Sequence, residues 1–202
     1  MPFSFARNQN LLSIYTGAII LGQTGLDWGG NMTVEEAIKT ALEYENRVRD
    51  VYKDAVGKTK DETGRRMLEI LAQDEQRHVD YLEAKKKQWT ETGKITIEKL
   101  DTEIPPKEHI EKEVSKLKSQ MSDKDFKVEI ELLRHACEVE KETSDFYRSV
   151  VDQLDVEGRK MFERFVEIEE GHLAIVQAEL DYVQGNGYWF DFSEFSVEGP
   201  PM

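Results

Sequence analysis

Two short patterns occur twice in this chain, in the same order and at nearly the same spacing. Glu45 is followed by Tyr52 seven positions on, and Glu75 by His78 three positions on; Glu140 is followed by Tyr147, and Glu169 by His172, at the same intervals. The two Glu of each half stand 30 positions apart in the first (75 − 45) and 29 in the second (169 − 140). Such a repeat asks for two copies of one supersecondary unit, each presenting the same side chains to a shared interior.

Helical phase supports that arrangement. Thr33 and Glu36 form a capping box, after which Ile38, Ala41, Leu42, Glu45, Val48, Tyr52 and Ala55 share a face, with Gly57 expected to end the helix. A second helix is expected over about 60–91, with Leu68, Leu71, Glu75, His78 and Leu82 inside and Gly93 closing it. A third, from about Lys124, carries Leu133, Ala136, Cys137, Glu140, Ser144, Tyr147 and Val151 in phase. A fourth starts near Val156 and carries Phe162, Phe165, Glu169, His172, Val176 and Leu180, until Gly185 and Gly187 stop it.

Between the two hairpins lies a long connection, about 94–122, with Pro105-Pro106 and a weak amphipathic set of Ile110, Val114 and Leu117. A helix of ~30 residues is ~45 Å long, and a connection of this size covers that distance even when partly helical. The expected fold is all-α: a four-helix bundle over 33–184 with one long crossover, a poorly charged N-terminal arm over 1–32 and a C-terminal tail over 185–202. Tyr188, Trp189, Phe190, Phe192 and Phe195 make that tail dense in aromatics, so it is expected to bury against the bundle or a partner.

Composition narrows the function. Hydrophobic residues at 39% beside 34% charged ones, spread through the chain, are not a disordered composition. A net charge of −14 argues against nucleic acid or an anionic membrane as the main partner, because both need clustered Lys and Arg. The single Cys137 excludes an internal disulfide or a Cys-x-x-Cys knuckle and fits a reducing, cytoplasmic setting. The apolar run Leu11 to Leu21 is too short to span a bilayer and lacks a convincing cleavage site, so the segment is expected to be retained.

On a helix, residues three apart lie ~4.5 Å apart along the axis and about 60° apart in rotation, so Glu75 and His78 can reach one ion, as can Glu169 and His172. Glu45 and Glu140 add a carboxylate from each remaining helix, and each has two oxygens with which to bridge two ions. Four Glu and two His facing inward from four helices is the ligand set of di-iron and di-manganese carboxylate bundles. Two divalent ions supply +4 against four carboxylates, so the reduced site is neutral and fits a dry core. Oxidising both ions by one electron leaves +2, which favours the anionic ligands that oxygen or peroxide deliver. One Glu-x-x-His alone is weak evidence, but four unpaired carboxylates among Leu, Val and Phe would cost several kcal/mol apiece. Tyr52 and Tyr147, ~10.5 Å along the axis from Glu45 and Glu140, are read as phenols that hydrogen-bond a carboxylate of a neighbouring helix.

Together the Glu45/Tyr52, Glu75/His78, Glu140/Tyr147 and Glu169/His172 pairs resemble the rubrerythrin branch of the ferritin-like superfamily, over about 34–184. That resemblance implies a ferritin-like bundle with two Fe ions (Mn or Zn also suit the ligands), reaction with hydrogen peroxide or oxygen, oxidative-stress defence and a homodimer, sometimes with exchanged helices. Rubrerythrins typically carry a rubredoxin domain with paired Cys-x-x-Cys; with one Cys this chain would take electrons from a separate donor protein. Peroxidase members also carry a Glu one turn after the third-helix ligand, where this chain has Thr143. Two other readings accompany the oxidoreductase: a ferroxidase-like iron-handling protein, and a structural bundle around an inert metal.

The remaining polar residues are read plainly. His109 and His135 are expected at the surface, Cys137 as a small core residue, and the run Glu83-Ala84-Lys85-Lys86-Lys87 as a solvated helix end.

Overall fold

The computed structural model describes residues 32–115, 126–187 and 189–190. The arm, except Met32, lies outside them, as do Leu117, Lys124, Tyr188, Phe192 and Phe195. The described residues fold into helices α1 (Val34–Lys58), α2 (Glu62–Thr92), α3 (Lys107–Val114), α4 (Lys127–Gln153) and α5 (Val156–Asn186), with no strand among them. None of these helices is long and apolar enough to cross a membrane.

Local chemistry sets the ends. The Thr33 hydroxyl accepts from the Glu36 amide at 3.2 Å while Glu36 accepts from the Thr33 amide at 2.9 Å, closing the capping box of α1. Asp61 caps α2 by accepting from the amides of Thr63 and Gly64, and Asp155 caps α5 by accepting from Gly158. Gly93 ends α2 in the left-handed region, at φ 66°. Two expected stops are corrected: Gly57 and Gly185 both lie inside helices. α1 ends instead at extended Thr59, whose amide and hydroxyl both donate to Ala55 O, and α5 ends at Gly187, at φ 62°.

Short links over 59–61 and 154–155 make two hairpins, α1–α2 and α4–α5. α1 packs on α4, and α3, within the long connection, packs on α5. The buried stripes follow the expected phase, except that Leu42, Cys137 and Val151 are half-buried while Ala37, Val139 and Val150 take the inward positions. Two apolar clusters result. One joins Tyr52, Leu68, Leu71, Leu133 and Val176 near the α1–α2 turn; the other joins Ile38, Leu82, Tyr147, Phe162 and Phe165 toward the opposite end.

The connection is strapped to the bundle. Gly171 allows it, since a Cβ there would lie 2.9 Å from Pro105 O. Arg164 Nε donates to Leu100 O at 3.2 Å. The charge run on α2 proves not to be wholly solvated: Lys85 is 2% exposed, donating to Thr96 O at 2.7 Å and Glu98 Oε2 at 2.8 Å with its ammonium 4.9 Å from the Tyr81 ring centroid. Lys85 continues the inner face three residues after Leu82, and the returning chain covers it. At the other end of the chain, Trp189 and Phe190 are buried as expected, Trp189 over Gly64 and Phe190 edge-on to Tyr182.

Candidate metal centre

Between the two apolar clusters the four long helices bring six polar side chains together. Glu45, Glu75, His78, Glu140, Glu169 and His172 are all fully buried. Glu75, His78, Glu169 and His172 each present a ligand atom within 4.8 Å of the other three. Glu45 and Glu140 approach from opposite sides: Glu45 Oε2 lies 3.1 Å from His78 Nδ1, and Glu140 Oε1 lies 3.8 Å from His172 Nδ1.

Glu75 occupies the middle. Its Oε2 is 3.1 Å from His78 Nδ1 and its Oε1 is 2.5 Å from His172 Nδ1, so one carboxylate faces both imidazoles. Glu169 Oε1 lies 3.4 Å from His78 Nδ1. One carboxylate of a Glu-x-x-His pair thus faces both imidazoles, while Glu45 and Glu140, expected to bridge two ions, lie beside His78 and His172 respectively.

The tyrosine bonds are reciprocal. Tyr52 on α1 donates to Glu140 Oε1 on α4, and Tyr147 on α4 donates to Glu45 Oε1 on α1. Tyr147 leaves Glu45 Oε2 beside His78 Nδ1, whereas Tyr52 takes the same Glu140 oxygen that lies 3.8 Å from His172 Nδ1. Burial and the neighbouring carboxylates push both phenols well above their ordinary range, so they remain donors.

The electrostatics of the cluster suit it to cations. Burial favours neutral imidazoles, yet the charges of nearby carboxylates, Glu45 and Glu75 on His78 and Glu75 on His172, raise both well above the usual histidine range. Burial, reinforced by repulsion from Glu75 and Glu169, raises Glu140 well above a normal carboxylate; burial likewise raises Glu75 and Glu169. Glu140 Oε2 and Glu169 Oε2 have no hydrogen-bond partner among the described residues. Orphaned carboxylate oxygens beside two imidazole nitrogens fit hard-to-borderline divalent cations.

One buried carboxylate beside the cluster is not foreseen from the sequence. Asp74, 0% exposed, accepts from His172 Nε2 at 2.8 Å, from Thr102 Oγ1 on the connection, and from Arg77. Burial acts to raise its carboxyl, but the bond and charge of His172, with His78 and Thr102, hold it below the usual carboxylate range. A carboxylate only accepts, so it fixes the proton of His172 on Nε2 and leaves Nδ1 for a cation. The signal was present as an Asp directly before Glu75. Thr143, also fully buried, donates to Val139 O at 2.9 Å and so turns back on its own helix.

Of the residues set aside, His135 is exposed and His109 half-buried, and Cys137 is half-buried against the first apolar cluster. Comparison of the chain with protein families, curated proteins and solved structures finds no match. What the site defines is therefore a helical protein with a buried carboxylate–histidine cluster able to hold metal.

Proposed function

We propose that the chain is a rubrerythrin-like member of the ferritin-like proteins, binding two iron ions and reducing hydrogen peroxide or oxygen with electrons from a separate donor. The observation that carries this reading is Glu75, whose two oxygens face the Nδ1 atoms of His78 and His172. In it, Glu45, Glu75, His78, Glu140, Glu169 and His172 would hold the iron, with Glu45 beside His78 and Glu140 beside His172. An iron pair supplies, when bound, the two electrons that reduction of peroxide to water requires.

The protein's own share is positional. Tyr52 and Tyr147 orient the outer carboxylates, Asp74 orients His172, and the clusters around Leu71 and Phe165 keep bulk water away. The same resemblance supports a homodimer. Manganese also suits these ligands, with lower intrinsic affinity than iron.

Stopped-flow oxidation of the Fe(II)-loaded protein tests the reaction. Oxidation by peroxide faster than by oxygen, stopping at two iron ions per chain, is the expected result. Equal and slow reaction with both would contradict peroxide reduction, and continued oxidation of many ions per chain would make it an iron-handling protein.

A further inference from the structure

The internal repeat makes the proposed ligands and phenols of the two halves correspond one to one, while some of their neighbours differ. Each ion has an outer Glu, and each outer Glu receives a phenol from the other hairpin. Each has an imidazole offering Nδ1. The residue directly before the Glu of each Glu-x-x-His pair, however, is Asp74 in the first half and Ile168 in the second.

That difference is felt across the bundle. Asp74 on α2 supports His172 on α5, with Nε2 to Oδ2 at 2.8 Å. Its counterpart, buried Ile168, offers no acceptor to His78, whose Nε2 has no hydrogen-bond partner among the described residues and lies 4.0 Å from Asp74 Oδ2. Asp74 is itself held by Thr102 and by Arg77, which also pairs with Glu103 at 3.1 Å. One imidazole is thus a fixed, carboxylate-supported donor and the other is not.

Resting on the two-ion reading above, we infer that the two metal positions are unequal, with Asp74 as a positioning residue that makes the His172 position the tighter one. An imidazole whose far nitrogen donates to a carboxylate is the stronger ligand, and loss of such a partner typically lowers metal affinity 10–100-fold. The outer carboxylates and their phenols recur in both halves, so the support of His172 by Asp74 is the difference that orders the filling. The His78 position fills second and empties first.

Titration of the metal-free full chain with Co(II), followed by its visible absorption and by equilibrium dialysis, reads both steps. The wild-type protein is expected to bind two ions in resolved steps separated by at least tenfold. Asp74→Asn, similar in shape, is expected to weaken the first step about tenfold and shift its absorption band, while the second step stays within about twofold. Two ions binding with equal affinity would overturn the inequality while leaving the two-ion reading intact; binding of none would overturn that reading itself. Equal weakening of both steps in Asp74→Asn, with unchanged circular dichroism, would remove Asp74 from the role.

Discussion

The imidazole rings of His78 and His172 lie with centroids 5.3 Å apart and planes inclined by 13°. They come from different hairpins, and both turn Nδ1 toward Glu75. Two stacked imidazoles among four buried carboxylates form an arrangement that apolar packing alone would not produce, since each buried charge must be compensated.

Glu75 is the carboxylate that both halves share. Glu75→Gln removes its charge with little change of shape and should abolish stoichiometric binding of the second ion and weaken the first severely. Glu45→Gln should weaken the His78 position more than the His172 position. Metal content after dialysis, measured beside circular dichroism, checks both.

The reciprocal phenols should act on affinity more than on folding. Tyr52→Phe and Tyr147→Phe each remove one hydrogen bond to a buried carboxylate. Each should lower affinity about tenfold. Metal titration of the two variants should give similar losses at opposite positions, Glu140 for Tyr52 and Glu45 for Tyr147.

Metal binding should stabilise the bundle. A ligand held only by the folded chain, at 100 times its Kd, adds about 2.7 kcal/mol. For a domain of this size that is a rise of roughly 5–10 °C in Tm. Calorimetry with and without chelator measures it, and an unchanged Tm would count against a metal in the core.

Cys137 should be a poor nucleophile. Burial, with the nearby charges of Glu140 and Asp181, pushes its thiol up to about 12, so at pH 8 only about one molecule in 10,000 carries the thiolate. Alkylation of the metal-free protein should be slow at pH 8, rise about tenfold per pH unit, and become fast in guanidinium.

Much of this was legible in the sequence. The Glu and His side chains of the buried cluster lie in phase with Leu68, Leu71, Phe162 and Phe165, and a buried stripe carries polar groups and apolar ones on the same 3.6-residue period. Asp74 and Lys85 were not legible, because neither is buried by its own helix alone. Thr102 covers Asp74 and residues 96–98 cover Lys85, and where a long connection lies cannot be read from periodicity. The spanning role of Glu75 was hidden for a related reason. Spacing equates all carboxylates on inner faces and does not tell which of them faces both imidazoles.

The central claim is that these six residues hold two redox-active ions. Anaerobic Fe(II) titration of the metal-free chain, with metal analysis and near-ultraviolet absorption after addition of peroxide, tests it most directly. The account predicts two iron ions per wild-type chain and the absorption of a coupled ferric pair, with both lost in a Glu75→Gln, Glu169→Gln double variant that keeps its helical content. Retention of zinc alone, or iron binding that the double variant preserves, would contradict it.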